Sequence, residues 1–235
     1  MDSSSERKIN WLEQTQRCGY GTIPGIMSET ETRYLLKDLS TTELPRSRAG
    51  IRHVMNLPGV SGIAHSASVL TPVQAILGKD AIPFRATYFD KSPASNWLVM
   101  WHQDTALPLL EKRQTDGWGP WSVKDGVIYA HAPAKALEQV LAVRLHLDDS
   151  NSNNGPLRVL PGTHLEGVLT DNRMHQLSET VESVECTVTK GGAVLMRPLV
   201  IHASSKSTSE EPRRVIHIEF ASHREILRDM TLAIA

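Results

Sequence analysis

Cysteine is almost missing: Cys18 and Cys186 are the only two in 235 residues, far apart and without metal-type spacing. That excludes a disulfide framework and a cysteine-built zinc knuckle, and a reducing cytosol, hence a cytoplasmic protein, fits best. Net charge is missing too. With 25 basic residues against 26 acidic ones, no surplus of cations exists to hold a polyanion, so neither nucleic acid nor an anionic membrane is expected as the main partner. No apolar run approaches the roughly 18 residues a membrane span needs, and residues 1–7 are polar. Repeats, low-complexity tracts and convincing linkers are absent as well. One well-buried domain remains, and a single β-barrel or sandwich of this length is ordinary.

The first 80 residues read as a helical buttress. Ser28-Glu29-Thr30-Glu31 is a capping box, with Tyr34, Leu35 and Leu39 following at helical spacing. Thr71-Pro72 predicts the start of a second short helix, Thr as N-cap and Pro in the first turn, which Gly78 ends. Between them the basic segment 46–53, with Arg46, Arg48 and Arg52, is either a loop over a site or simply solvated surface.

From Ile82 the pattern changes to short strands with turn punctuation. Strands are expected over 84–89, 96–104, 141–147, 157–160, 193–196, 199–202 and 215–220, separated by turns such as Asn153-Asn154-Gly155 and Pro161-Gly162. The expected fold is mainly β, a jelly-roll core over 82–222 with flanking helices. The polar stretch 111–125 reads as a long loop carrying Trp118 and Trp121, which would either close over a ligand or pack on the barrel.

The chemistry gathers at Trp101-His102-Gln103-Asp104. On a strand, side chains at i and i+2 leave the same face, so His102 and Asp104 point together, while Gln103 points away and supports the strand. An imidazole nitrogen and a carboxylate oxygen are two thirds of the set that holds non-haem Fe(II) with open positions. Taken alone, the pair is equally a hydrogen-bonded surface His and Asp. The third ligand should be a distant histidine: His202 follows an apolar run behind a Gly-Gly turn, where a ring without a partner is costly, and His146, His164 and His217 compete with it. Eleven residues beyond His202, Arg213 opens the last long strand. A guanidinium there can hold one end of the dicarboxylate 2-oxoglutarate in two parallel hydrogen bonds while the other end binds iron.

Trp101-His102-Gln103-Asp104, the run Asn154-Gly155-Pro156-Leu157-Arg158-Val159-Leu160-Pro161-Gly162-Thr163-His164, and Leu199-Val200-Ile201-His202 through Pro212-Arg213-Arg214 together resemble the phytanoyl-CoA dioxygenase family of Fe(II)/2-oxoglutarate oxygenases. The resemblance runs from about Phe84 to Ser222. It implies a double-stranded β-helix, iron held by His102, Asp104 and His202, and the far carboxylate of 2-oxoglutarate held by Arg213 with help from Ser204. Thr87 and Arg144 fall where relatives line the cosubstrate pocket. The implied reaction consumes 2-oxoglutarate and O2, releases succinate and CO2, and hydroxylates a C–H of a small organic molecule. Asp104 stands where halogenating relatives carry Gly or Ala, which favours hydroxylation. Arg85, Trp97, Trp118 and Trp121 are the candidates for touching substrate. A cupin-type metal enzyme without 2-oxoglutarate and a non-catalytic metabolite-binding module are the alternatives, and Arg213 and Ser204 speak against the first.

Overall fold

Secondary structure follows the two hydrophobic periods in the chain. The computed structural model describes residues 10–47, 50–227 and 230–235; residues 1–7 and Arg48 lie outside them. The helices of the first part are α1 (Trp11–Cys18), α2 (Glu29–Ser40), α3 (Pro58–Ala64) and α4 (Ala67–Leu77). The expected capping box opens α2: the Ser28 amide donates to Glu31 Oε2 at 2.7 Å and the Glu31 amide to Ser28 Oγ at 3.2 Å. Leu35 and Leu39 are buried, but Tyr34 is 56% exposed. The second helix begins five residues before the expected start, at Ala67 with Ser66 rather than Thr71 as N-cap, and Pro72 lies inside it. Proline removes the bond to the carbonyl four residues back and crowds that carbonyl; here it belongs to Ser68, in the exposed first turn of the helix. Gly78 ends the helix as expected.

Two strands also come from this region, β1 (Tyr20–Ile23) and β2 (Gly50–Arg52), so residues 1–80 are more than a buttress. They are edge strands of the main sheet. The remaining strands are β3 (Ile82–Lys91), β4 (Val99–His102), β5 (Ala106–Leu109), β6 (Trp121–Lys124), β7 (Val127–His131), β8 (Val140–His146), β9 (Leu157–Val159), β10 (Val184–Cys186), β11 (Ala193–Met196), β12 (His202–Ser204), β13 (Arg213–Ala221), β14 (Glu225–Ile226) and β15 (Met230–Thr231), with α5 (Ala134–Leu137) and α6 (Asp171–Thr180) between them. The main sheet runs β1-β11-β8-β13-β3-β2 and the smaller one β10-β9-β12-β4, all pairs antiparallel. These are the two walls of the expected jelly-roll. The core reaches past Ser222, since the Ala235 amide donates to Phe84 O at 2.8 Å.

Period-two alternation decides what each wall shows. Leu141, Val143 and Leu145 of β8, Ile216, Ile218 and Phe220 of β13, and Ala86 and Tyr88 of β3 pack into the core that also holds the helices. Their neighbours in sequence, Arg85, Thr87, Phe89, Arg144, Arg213 and His217, turn to the inside and line a cavity. Among the described residues no single helix is long and apolar enough to cross a membrane.

Three strand expectations change. The strand expected over 96–104 is only Val99–His102, so Asp104 lies past its end. Residues 199–201 form a turn rather than a strand: the Val200 amide donates to Arg197 O at 3.1 Å, and Ile201 N is capped by Thr163 Oγ1 at 3.0 Å. Their apolar character reflects burial alone, with Leu199 at 3% and Val200 and Ile201 at 0% exposure. The stretch 111–125 is shorter as a loop than expected, because from Trp121 it joins β6 in a three-stranded sheet ordered β5-β7-β6.

Candidate metal centre

Register builds the centre. His102 ends β4 and His202 begins β12, and they are direct cross-strand partners with ring centroids 4.1 Å apart. Asp104 lies two residues further on, fixed by its amide donating to Pro198 O at 3.0 Å. His102 Nε2 is 3.6 Å from Asp104 Oδ1 and His202 Nε2 is 3.4 Å from Oδ2. Donor atoms of all three lie within 4.8 Å of one another. Each ring's other nitrogen is used up: His102 Nδ1 donates to Met100 O at 2.8 Å and His202 Nδ1 to Val200 O at 2.9 Å. Both Nε2 lone pairs therefore face Asp104, the tautomer a metal needs. Burial, with the neighbouring His202, lowers the pKa of His102. Burial pulls the Asp104 carboxyl upward, but His202 and then His102 outweigh it and hold the group well below the usual carboxylate range. Two imidazole nitrogens and one carboxylate on one side of a point fit Fe(II) with three positions open.

The cavity beside this triad measures about 270 Å³. Arg213, 2% exposed, donates from Nε to Asn154 O at 3.2 Å and from Nη2 to Ser204 Oγ at 3.4 Å, and its Nη1 has no partner. A buried guanidinium with a spare donor lining a cavity is a seat prepared for an anion. Burial, then the charge of Arg144, lowers its pKa to about 9. Ser204 lines the same cavity, yet its hydroxyl donates to Gly155 O at 2.8 Å and accepts from Lys91 Nζ at 2.8 Å, so it orients its neighbours rather than offering a free proton. Gly155 has φ +66°, and a Cβ there would meet Ser205 O at 2.3 Å, which is why glycine occupies this turn.

Thr87 and Arg144 line the cavity. Arg144 Nη1 donates to His217 Nδ1 at 3.0 Å, and burial together with Arg144 keeps the His217 ring well below its ordinary pKa. Trp97 lines the cavity, and so does Arg85, although Arg85 is bound to the buried Glu219 and donates to Ala106 O at 3.0 Å. Trp118 and Trp121 do not. Trp118 is 7% exposed within a second core with Phe84, Leu107 and Leu199, and Trp121 packs against that core. Trp121 pairs with Ala130 of β7, itself part of that core, while Trp118 precedes the strand in a turn where its amide donates to Thr115 O at 3.1 Å.

Competing histidines fall elsewhere: His146 is fully buried beside Arg144 and Arg213, and His164 faces Gln16 O at 3.2 Å. Gln103 points off the metal face, as expected, donating to Gly167 O and Leu199 O at 2.9 and 2.7 Å while accepting from Leu169 N at 2.9 Å. Sequence reasoning missed Lys91, 1% exposed, whose pKa is lowered to about 7 by burial and by Arg213 and Arg144. Its signal was present, since Lys91 continues the inward series Arg85, Thr87, Phe89. Tyr129 and Lys124 of the β6–β7 hairpin and Arg52 of the basic segment also line the cavity.

Comparison with known proteins agrees with this geometry. The sequence model of phytanoyl-CoA dioxygenase (PhyH) matches residues 37–215. A curated relative, L-proline trans-4-hydroxylase of Streptomyces griseoviridis, is 27% identical over 43% of this chain and 47% of its own, so the match spans about half of that relative. Similar solved folds include EctD from S. alaskensis with 2-oxoglutarate and 5-hydroxyectoine, at TM-score 0.69 and 16% identity over 94% of this chain and 78% of that one. HygX from Streptomyces hygroscopicus with nickel and 2-oxoglutarate gives 0.65 and 16%, over 90% and 85%. The α-ketoglutarate-dependent epimerase SnoN gives 0.66 and 16%, over 92% and 82%. With more than half of its length matched by the family model, the chain belongs to the phytanoyl-CoA dioxygenase family of Fe(II)/2-oxoglutarate-dependent oxygenases.

Proposed function

We propose that this oxygenase hydroxylates an unactivated C–H of a small organic metabolite, converting 2-oxoglutarate and O2 to succinate and CO2. His102, Asp104 and His202 hold the iron, and Arg213 takes the far carboxylate of 2-oxoglutarate. Bound there, iron and 2-oxoglutarate supply the oxidising power that activates O2 against a C–H bond. The chain's own residues do the rest: the strand carbonyls of Met100 and Val200 aim both imidazoles, and Ser204 and Asn154 hold the Arg213 fork in place. The supporting observation is the Arg213 donor without a partner in the same cavity as a complete His-Asp-His set. A metal enzyme that ignores 2-oxoglutarate has no use for it.

A cavity of about 270 Å³ lies at the small end of ligand sites, which run from roughly 300 Å³ upward; that favours a compact substrate over an acyl-CoA. The carboxylate ligand supports hydroxylation, while the likeness to SnoN, an epimerase, keeps stereochemical inversion as a second outcome of the same oxidation. With both cysteines free, a reducing cytoplasm is the proposed setting. The test is succinate formation from 2-oxoglutarate in air with added Fe(II), followed by mass analysis of candidate substrates. A product 16 mass units heavier supports hydroxylation, an isomer of unchanged mass supports epimerisation, and absence of succinate with every substrate tried refutes the oxygenase reading.

A further inference from the structure

The cavity wall carries more cationic side chains than 2-oxoglutarate answers. Arg85 is neutralised by Glu219, and Arg213 is answered by the cosubstrate under the reading above, on which this inference rests. Asp104 is committed to the metal. Arg144, buried, has a neutral histidine as partner rather than an acid. At another part of the wall stand Lys124 on β6 and Arg52 on β2. The Lys124 amine lies 5.0 Å from the centre of the Tyr129 ring and forms no ion pair among the described residues; burial, then the charges of Arg85 and Arg52, lower its pKa. Arg52 reaches Asp125 at 3.4 Å, with both side chains about half exposed, a contact weak enough to exchange for another anion. Cations crowded into a partly desolvated opening repel one another until a counter-charge arrives.

We propose that the substrate is a small acid whose carboxylate or phosphate docks on Lys124 and Arg52, leaving the rest of the molecule to extend toward His102 and Asp104. The test uses nickel-loaded protein with saturating 2-oxoglutarate. Matched pairs are titrated by calorimetry: small carboxylic acids, amino acids included, against their primary amides, and phosphate monoesters against the parent alcohols. Binding by acids with none by the neutral partners is expected, and which arm responds identifies carboxylate or phosphate. Lys124→Met and Arg52→Gln, both at exposed positions that leave the core intact, should each weaken acid binding about tenfold or more while 2-oxoglutarate affinity is retained. Neutral partners binding as well as the acids, acid binding indifferent to both substitutions, or no acid binding while 2-oxoglutarate still does, each overturns the proposal. Loss of 2-oxoglutarate binding in the unaltered protein instead strikes the oxygenase reading itself.

Discussion

Replacing Lys91 by methionine removes a buried ammonium while keeping an unbranched apolar stem in its place. Its pKa falls from 10.5 to about 7, through burial and then the charges of Arg213 and Arg144. At 1.36 kcal/mol per pH unit, the surroundings oppose the charged amine by about 5 kcal/mol. A carboxylate gripped by Arg213 is the missing counter-charge, because Ser204 Oγ lies 2.8 Å from Lys91 Nζ and 3.4 Å from Arg213 Nη2. A nearby opposite charge raises a lysine pKa by about 1 to 3 pH units. From pH about 7 to that raised value, the complex carries a proton that the empty protein lacks. Binding of 2-oxoglutarate then takes up as much as one proton, and affinity falls by up to tenfold per pH unit as pH rises. The folded empty protein has the opposite slope: its lysine pKa is below that of the unfolded chain, which binds more protons between about 7 and 10.5, so stability rises across that window. The assay is calorimetry on protein loaded beforehand with nickel, in buffers of different ionisation enthalpy. Below pH about 8, under the value of about 9 at which Arg213 itself begins to release its proton, Lys91→Met should show neither proton uptake nor either slope. Equal pH dependence in the two proteins would refute the reasoning.

Asp104→Ala should abolish succinate formation while the metal-free protein melts within a few degrees of the original, measured by coupled assay and calorimetric scan. Arg213→Met removes the charged donors of the far-carboxylate seat, each worth about 1.5–3 kcal/mol; the 2-oxoglutarate requirement should rise about ten- to a hundredfold, and an unchanged requirement would transfer the role to Arg144. Trp118→Ala should cost about 3–5 kcal/mol in denaturant unfolding, as for a large aromatic removed from a core, with no change in 2-oxoglutarate affinity. A lid tryptophan would show the reverse.

His102 was legible from its strand; Asp104, expected on the same strand, lies two residues past its end, where the bond from its amide to Pro198 O rather than strand periodicity fixes it beside His102. His202 was not separable from His146, His164 and His217 by residue chemistry, since all four lie near strands or turns of the barrel; family likeness chose it, and the cross-strand pairing of β4 with β12 brings it against His102. Lys91 escaped because Ser92-Pro93 suggested an earlier strand end and because lysine is ordinarily exposed. Trp118 and Trp121 were ambiguous for a different reason: an aromatic in a Gly-Pro context is lid or core according to which strand pairs nearby, and the local signal for that pairing, the two-residue turn Asp125-Gly126 with both residues at positive φ that joins β6 to β7, was passed over.

These gaps share one cause. Side-chain identity fixes what chemistry is available, and register fixes whether it meets. A one-residue slip of β12 against β4 would turn His202 to the opposite face and leave Ala203 beside Asp104, with nearly the same apolar residues buried. The slip is opposed by contacts outside the triad: the Asn96 amide group donates to Ser207 O and accepts from Ser207 N, at 2.8 and 2.7 Å, and Gln103 ties the end of β4 to Leu199 O. The geometry of the centre is therefore held by polar side chains that neither bind metal nor line the cavity, which is why reading only ligand-type residues finds the site without explaining its precision.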